Sequence, residues 1–313
     1  MTATRTMWFA GAVLTVLGAG IAEAQQWDYP ARAARWLGLR SGSRLQVSGE
    51  LRGRYERRTG QDFGAKPDLD TALIRTRLSL SYKPATWLKL SGAMQDSRAP
   101  GYGANAPAST RDQADWLEGY VELFPDRKKG FGMTAGRMML SYGETRLLAT
   151  PQWGNVTRSF DHARAYWRHP KAQVEFLWLA PVKVRVGEFN KPVLGERVWG
   201  TYNSFPNLFG KNLVEAYVLR HDQNRPGGFN GGSQAAGADR LGVSTFGGRL
   251  TGPLPRAAKY GIEAAVQTGR VGPARHRAAA WASWISRRWT LGAMPLDLLG
   301  EYKFASGAKN PQD

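Results

Sequence analysis

Four arginines fall in pairs at two-residue spacing in neighbouring runs of the chain: Arg52 and Arg54 in "ELRGRYE", and Arg75 and Arg77 in "LIRTRLS". That spacing puts both members of a pair on one face of a strand. If the runs form a hairpin around residues 59 to 69, four guanidiniums lie side by side. Such a cluster is costly unless carboxylates or the anions of a ligand answer it, and Glu50 and Glu56 are the nearest carboxylates. Further along, Glu118 and Glu122 precede the turn "PDRKKG" and Arg137 follows it. This predicts an inward Glu/Arg ladder with Glu118 opposite Arg137, each pair contributing from a few tenths to about 1 kcal/mol. The turn "PK" at 170 sets Tyr166 opposite Glu175 and Arg168 opposite Gln173, with Arg164 on the same face. The chemistry these residues suit is non-covalent recognition of anions, because arginine stays charged and pairs bidentately with carboxylates.

Covalent chemistry finds no comparable constellation. The four histidines, His162, His169, His221 and His276, show neither the HExxH pattern nor a ligand-spaced pair. There is no cysteine, hence no disulfide framework or thiolate metal site. "GGFNGGSQAAG" lacks the GK[ST] ending of a phosphate loop and fits an extracellular connection better. No GxSxG elbow is present. The chain is therefore expected to use no metal and no cofactor, and not to be an enzyme.

The elements that must position the arginines are strands. From Arg44 onward the chain falls into segments of roughly ten residues with a two-residue period, the pattern of a transmembrane antiparallel up-and-down β-barrel. Strands are expected at 44–58, 70–83, 86–96, 115–124, 131–141, 160–169, 172–187, 198–207, 212–222, 240–251, 259–270, 278–289 and 296–306, about thirteen in all. Connections alternate between short ones, such as "PA" at 84, and mostly longer ones, such as "SRAPGYGANAPASTRDQAD". A barrel with short periplasmic turns and long extracellular loops shows this parity; a Greek-key sandwich has no reason to. In the second strand Ile74, Leu78, Leu80 and Tyr82 alternate with Arg75, Arg77, Ser79 and Lys83. Lipid cannot satisfy a guanidinium, so the arginine face should line the interior. For any single residue, filling a polar interior is the plainer explanation; the set favours an anion-selective pathway.

Residues 1–24 have the positive n-region, apolar h-region and Ala22-Glu23-Ala24 site of a secretory signal peptide. Residues 25–43, with "WDYPARAARWLGLR", are expected to form a periplasmic segment, and 44–313 the barrel domain. The net charge is +18 and is unaltered by removal of the leader, which carries one Arg and one Glu. Such a surplus attracts polyanions, and export argues against nucleic acid. The chain stops after an odd-numbered strand, whereas single-chain bacterial barrels close on an even count. It is therefore expected to be a fragment.

The stretch "GRMMLSYGETRLLATPQWGNVTRSFDHAR" resembles the alginate export family of outer-membrane porins. The matching residues are Gly136, Arg137, Tyr142, Gly143, Glu144, Arg146, Leu147, Trp153, Asn155, Arg158, Phe160 and Asp161. "VWGTYNS" and "LLGEYKFASG" add to the likeness, and Met138 departs from it by replacing an amide. The resemblance implies a barrel of about 18 strands with a positively charged pore that passes an anionic polysaccharide out of the cell.

Together these readings give an outer-membrane channel with Arg52, Arg54, Arg75, Arg77, Arg137 and Arg164 on the inner wall and Glu50, Glu118 and Glu122 as counter-charges. Arg146 and Arg158 would sit on a loop at the mouth, held by Glu144 and Asp161. The expected partners are outer-membrane lipid, an anionic saccharide and periplasmic or inner-membrane export components. A sugar or general porin with a purely structural Arg/Glu ladder, a barrel enzyme acting on polysaccharide or lipid, and a secreted polyanion-binding protein are the competing readings.

Overall fold

Alternation of apolar and polar side chains over runs of nine to eighteen residues suits a strand with one face in lipid and one in a polar interior. The computed structural model describes residues 44–307 except 61–62, 64–67, 104–105, 127, 225–239 and 293. The expected signal peptide, the segment 25–43 and the Gly-rich stretch "GGFNGGSQAAG" lie outside the described residues.

The strands are β1 (Leu45–Arg58), β2 (Leu69–Ala85), β3 (Leu88–Arg98), β4 (Asp112–Leu123), β5 (Gly130–Met138), β6 (Phe160–His169), β7 (Ala172–Lys183), β8 (Lys191–Pro192), β9 (Glu196–Pro206), β10 (Leu213–Gln223), β11 (Leu241–Leu254), β12 (Ala258–Val271), β13 (Ala274–Leu291) and β14 (Met294–Ala305). All pair antiparallel in chain order except the two-residue β8, which pairs only with β7 and lies off the path. The fold is thus an all-β, up-and-down meander. Short connections at 86–87, 124–129, 170–171, 207–212, 255–257 and 292–293 share one end, and the longer ones at 99–111, 139–159 and 184–195 the other.

Two expected strands are shorter than their patterns suggested. β5 stops at Met138, not at 141, and β7 stops at Lys183, not at 187. In both cases the chain leaves the ladder to form a long connection.

One register differs from expectation. Arg137 pairs with Gly119, not Glu118, and Glu122 pairs with Thr134. Phe124, with φ of 58°, reverses the chain at the head of the turn, and the ladder resumes one residue away from the expected pairing. A one-residue slip moves every side chain of a strand to its opposite face. Gly132 and Thr134 consequently face inward, and Arg137 shares the outward side with exposed Phe131 and Met133. Gly136 makes the join possible: its φ is 125°, and a Cβ there would lie 2.3 Å from the Gly119 carbonyl oxygen.

The interior is not uniformly polar. Leu177 and Leu179 on β7, both 0% exposed, form an apolar cluster with Phe160, Tyr202, Tyr217 and Leu219 on β6, β9 and β10. Leu140 and Leu148 from connection 139–159 complete it, and Met138, Tyr142 and Val198 pack around it. A segment that would otherwise hang in the pore thus has a small core of its own.

Candidate functional site

The hairpin β1–β2 brings the four arginines together as their spacing implies. Arg52 pairs directly with Arg75, and Glu50 with Arg77. Glu50 accepts from Arg75 Nε at 2.8 Å and lies 3.3 Å from Arg77 Nη1. Glu56 accepts from Arg54 at 2.7 Å. The carboxylates that the sequence offered are therefore the ones that answer the cluster.

Most of the remaining donors address the 139–159 connection, which folds inward across this wall. Arg52 donates to the carbonyls of Gln152 and Gly154, each at 2.8 Å, and Arg54 to that of Trp153 at 2.7 Å. Arg75 donates to the same Gln152 and Gly154 carbonyls at 3.1 and 3.0 Å. Arg77 reaches the Gln152 side chain at 2.9 Å and the Thr157 hydroxyl. Arg75 and Arg77 are 3% and 9% exposed. They act as clamps under the loop, and the accessible surface above them belongs to Trp153, 74% exposed, with the Arg54 guanidinium 4.4 Å from its ring centre.

Asn155 pins the loop from below. It is 1% exposed, and its Nδ2 lies 3.2, 3.0 and 2.8 Å from the carbonyls of Ile74, Arg98 and Thr110. Its own carbonyl accepts from Ser97 Oγ at 2.9 Å.

The other arm of the loop reaches the far wall. Arg146 contacts Glu144 at 2.7 Å, Glu263 on β12 at 2.8 Å and Glu301 on β14 at 3.0 Å. Glu144 also accepts from Arg249 at 3.1 Å and from Trp284 Nε1 at 2.6 Å. Arg249 in turn pairs with Glu215. The Tyr142 hydroxyl donates to Glu175 at 2.8 Å, and its ring lies tilted against Tyr202, which stacks on Tyr217, with centroids 4.8 and 5.4 Å apart. The loop is thus a strut fastened to β1–β3 by arginine-to-carbonyl and asparagine contacts, to β6–β10 by apolar packing, and to β11–β14 by ion pairs.

Of the remaining expected residues, Arg164 lies on the inner wall, 3.4 Å from the Tyr142 hydroxyl and 3.7 Å from Glu175. Glu122 is inward and accepts from Tyr166 at 3.0 Å. Glu118 is inward too, but it receives the Met139 N–H at 3.0 Å in place of Arg137. Arg137 is not on the inner wall: it forms an outward ion pair with Asp161 at 2.6 Å and donates to the Asn190 carbonyl at 3.0 Å. Asp161 therefore holds Arg137 and not the loop, a consequence of the same register. Arg158 is exposed on the loop next to β6.

Glu175, Glu215, Glu263, Glu301, Arg249 and Trp284 take part in the site although none stood out in the sequence as a mouth residue. Their one visible signal is parity, since each falls on the inward phase of its strand.

Two loop groups have displaced proton affinities. Burial pushes the Tyr142 hydroxyl well above its ordinary value and nearby Glu175 adds to this, so it remains a donor. Burial also pushes the Glu144 carboxyl up, but Trp284, Arg146 and Arg249 more than reverse this, leaving it below the ordinary range. A carboxylate with a depressed folded-state pKa contributes stability above its unfolded value and loses it as pH falls through the folded one. The far-wall tether is accordingly expected to hold unchanged from neutrality down to about pH 4 and to weaken below that. Single-channel recordings across that range should show loop-type current fluctuations rising only at the acid end, and Glu144→Gln should raise them already at neutral pH and so reduce the further rise on acidification.

Comparison with known proteins agrees with this architecture. Among solved structures, a BenF-like porin from Pseudomonas fluorescens Pf-5 superposes with a TM-score of 0.53 at 10% identity, covering 83% of this chain and 69% of the porin. Pseudomonas aeruginosa OpdK, solved with vanillate, gives 0.51 at 11% identity, covering 84% and 70%. At those identities the likeness is one of fold: both are outer-membrane barrels. No curated protein sequence matches the chain. The sequence profile of the alginate export family matches residues 43–313, and with that match spanning the whole strand-bearing region, the chain belongs to the alginate export family of outer-membrane channel proteins.

Proposed function

We propose that this outer-membrane channel conducts an anionic saccharide, and that the 139–159 strut sets the opening through which it passes. The observation that carries the reading is the lining near the strut: Arg52 and Arg54 beside exposed Trp153, with Arg158 exposed on the same connection. An indole face suits the C–H face of a pyranose, and a guanidinium suits a uronate carboxylate. No step of this process makes or breaks a covalent bond; selectivity comes from pore width and fixed charge. Export components in the periplasm or inner membrane would deliver the solute.

Arg75 and Arg77 have a supporting role in this scheme, because they are buried beneath the strut whereas Arg52 and Arg54 are partly exposed. The test is reconstitution of the full-length protein in planar bilayers under a salt gradient. The reversal potential is expected to show anion preference, anionic oligosaccharides should block the current, and Arg52→Gln with Arg54→Gln should shift the potential toward cations. Cation preference in the unmodified protein, or indifference to anionic oligosaccharides, would leave the arginines as structural clamps only.

A further inference from the structure

The outward face of β9–β13 carries a basic patch that the conduction pathway does not use. Ladder pairing aligns Arg197, Asp222, Gly242, Arg270 and Arg275 in one row across five strands. The next row is Trp199, Arg220, Ser244, Thr268 and Arg277. In the row after that, Val218, Phe246 and Val266 are exposed and apolar, so the patch begins where the hydrocarbon-facing belt ends. It lies at the end of the sheet that bears connections 139–159 and 184–195, the extracellular end of a bacterial barrel.

Elsewhere along this rim three outward arginines on strands each have a carboxylate of their own. Arg57 lies 3.8 Å from Asp70, Arg98 2.7 Å from Asp96 and Arg137 2.6 Å from Asp161. On β9–β13, by contrast, Asp222 serves Arg220 at 2.8 Å and Arg197 at 3.9 Å, and no carboxylate among the described residues pairs with Arg270, Arg275 or Arg277. Arg270 and Arg275 are directly opposed, and like charges so placed destabilise a sheet. Outward charges are costly at the bilayer midplane but cost little near the interface. An arrangement of this kind is consistent with an anion above the belt. Across five strands the patch is about 20 Å wide, a span suited to a headgroup bearing more than one phosphate.

We propose that this face binds the phosphate groups of a phosphorylated glycolipid of the outer leaflet, with Arg270, Arg275 and Arg277 as the principal contacts and Trp199 at the boundary with the acyl region. The experiment uses the full-length protein extracted in mild detergent, with lipid A and enzymatically dephosphorylated lipid A as probes and native mass spectrometry as the readout. Lipid A is expected to bind at least about tenfold more tightly than its dephosphorylated form, and the folded R270Q/R275Q/R277Q variant to lose at least about tenfold in affinity. Arg57→Gln should bind as the unmodified protein does, and bilayer conductance should be the same in all three proteins. Equal binding of the two lipids by the unmodified protein overturns the proposal even where the triple variant fails to fold. Undiminished binding by the folded triple variant overturns it as well. Inorganic phosphate binding as tightly as lipid A would assign the patch to free anions, and loss of barrel–barrel association in the triple variant without loss of lipid would assign it to a second copy of the chain; either result overturns the glycolipid assignment.

Discussion

Replacing Asn155 with aspartate is expected to detach the inner arm of the strut and destabilise the barrel by about 3–5 kcal/mol, the range for an uncompensated buried charge. The amide Nδ2 faces three main-chain carbonyls from β2, β3 and the 99–111 connection, and the side chain is 1% exposed. A carboxylate oxygen at that position would oppose three acceptors with no donor between them. Asn155→Ala removes the donor without adding charge, and its expected cost is smaller, about 1–3 kcal/mol for carbonyls left unpaired. The ordering of the two variants therefore separates electrostatic conflict from simple loss of a bond. Both should raise mean conductance and current noise, since Gln152, Trp153 and Gly154 lie next to the pinned residue and would move off the arginine wall. Urea unfolding in detergent measures the stability difference, and planar-bilayer recording measures the conductance. Aspartate that is tolerated as well as alanine would show that this end of the strut is held by the arginines alone.

The parts of this arrangement that were legible in sequence are those fixed by local periodicity. The β1–β2 hairpin has an unbroken two-residue alternation on both sides of its turn, so the opposition of Arg52 and Arg75 and the nearness of Glu50 follow from counting. The pairs Tyr166–Glu175 and Arg168–Gln173 follow in the same way from a tight turn. The β4–β5 pairing did not, because register across a longer turn depends on backbone angles such as the φ of Phe124, which sequence alone does not display. With the register so set, Arg137 leaves the inner wall and meets Asp161 on the outer surface.

Long-range partners were hidden for a different reason. Arg146 and Glu301 are 155 positions apart, and only curvature of the whole sheet brings them together. The inner apolar cluster did leave a trace. In "AQVEFLWLAPVK", Phe176 and Trp178 face outward while Leu177 and Leu179 face inward. An outward apolar face meets lipid, but an inward one needs apolar cover inside the barrel, which would have pointed to a segment packed against β7. Met138 belongs to the same account: it lies against this cluster opposite Phe160, where a thioether is better placed than an amide.

Glu50→Gln is expected to cost more than any single arginine substitution on the same wall. Four guanidiniums occupy adjacent inward positions of β1 and β2, and Glu50 is the carboxylate that contacts both Arg75 and Arg77. Removing its charge leaves two arginines, 3% and 9% exposed, with neutral acceptors only and with each other's repulsion undiminished. Breaking a buried pair in this direction costs about 3–5 kcal/mol. Arg75→Gln is milder, because it removes one of the crowded charges and leaves Glu50, whose side chain is 39% exposed, able to hydrate and to keep Arg77. A double-mutant cycle over Glu50 and Arg75 should then show that the second substitution recovers part of the loss caused by Glu50→Gln, a non-additivity on the order of 1–3 kcal/mol for directly contacting residues. Raising the salt concentration should narrow the gap between Glu50→Gln and the unmodified protein, because added anions screen the exposed side of the cluster. Simple additivity in the cycle would mean that the four arginines do not interact as one charged unit, and that the loop carbonyls alone balance them.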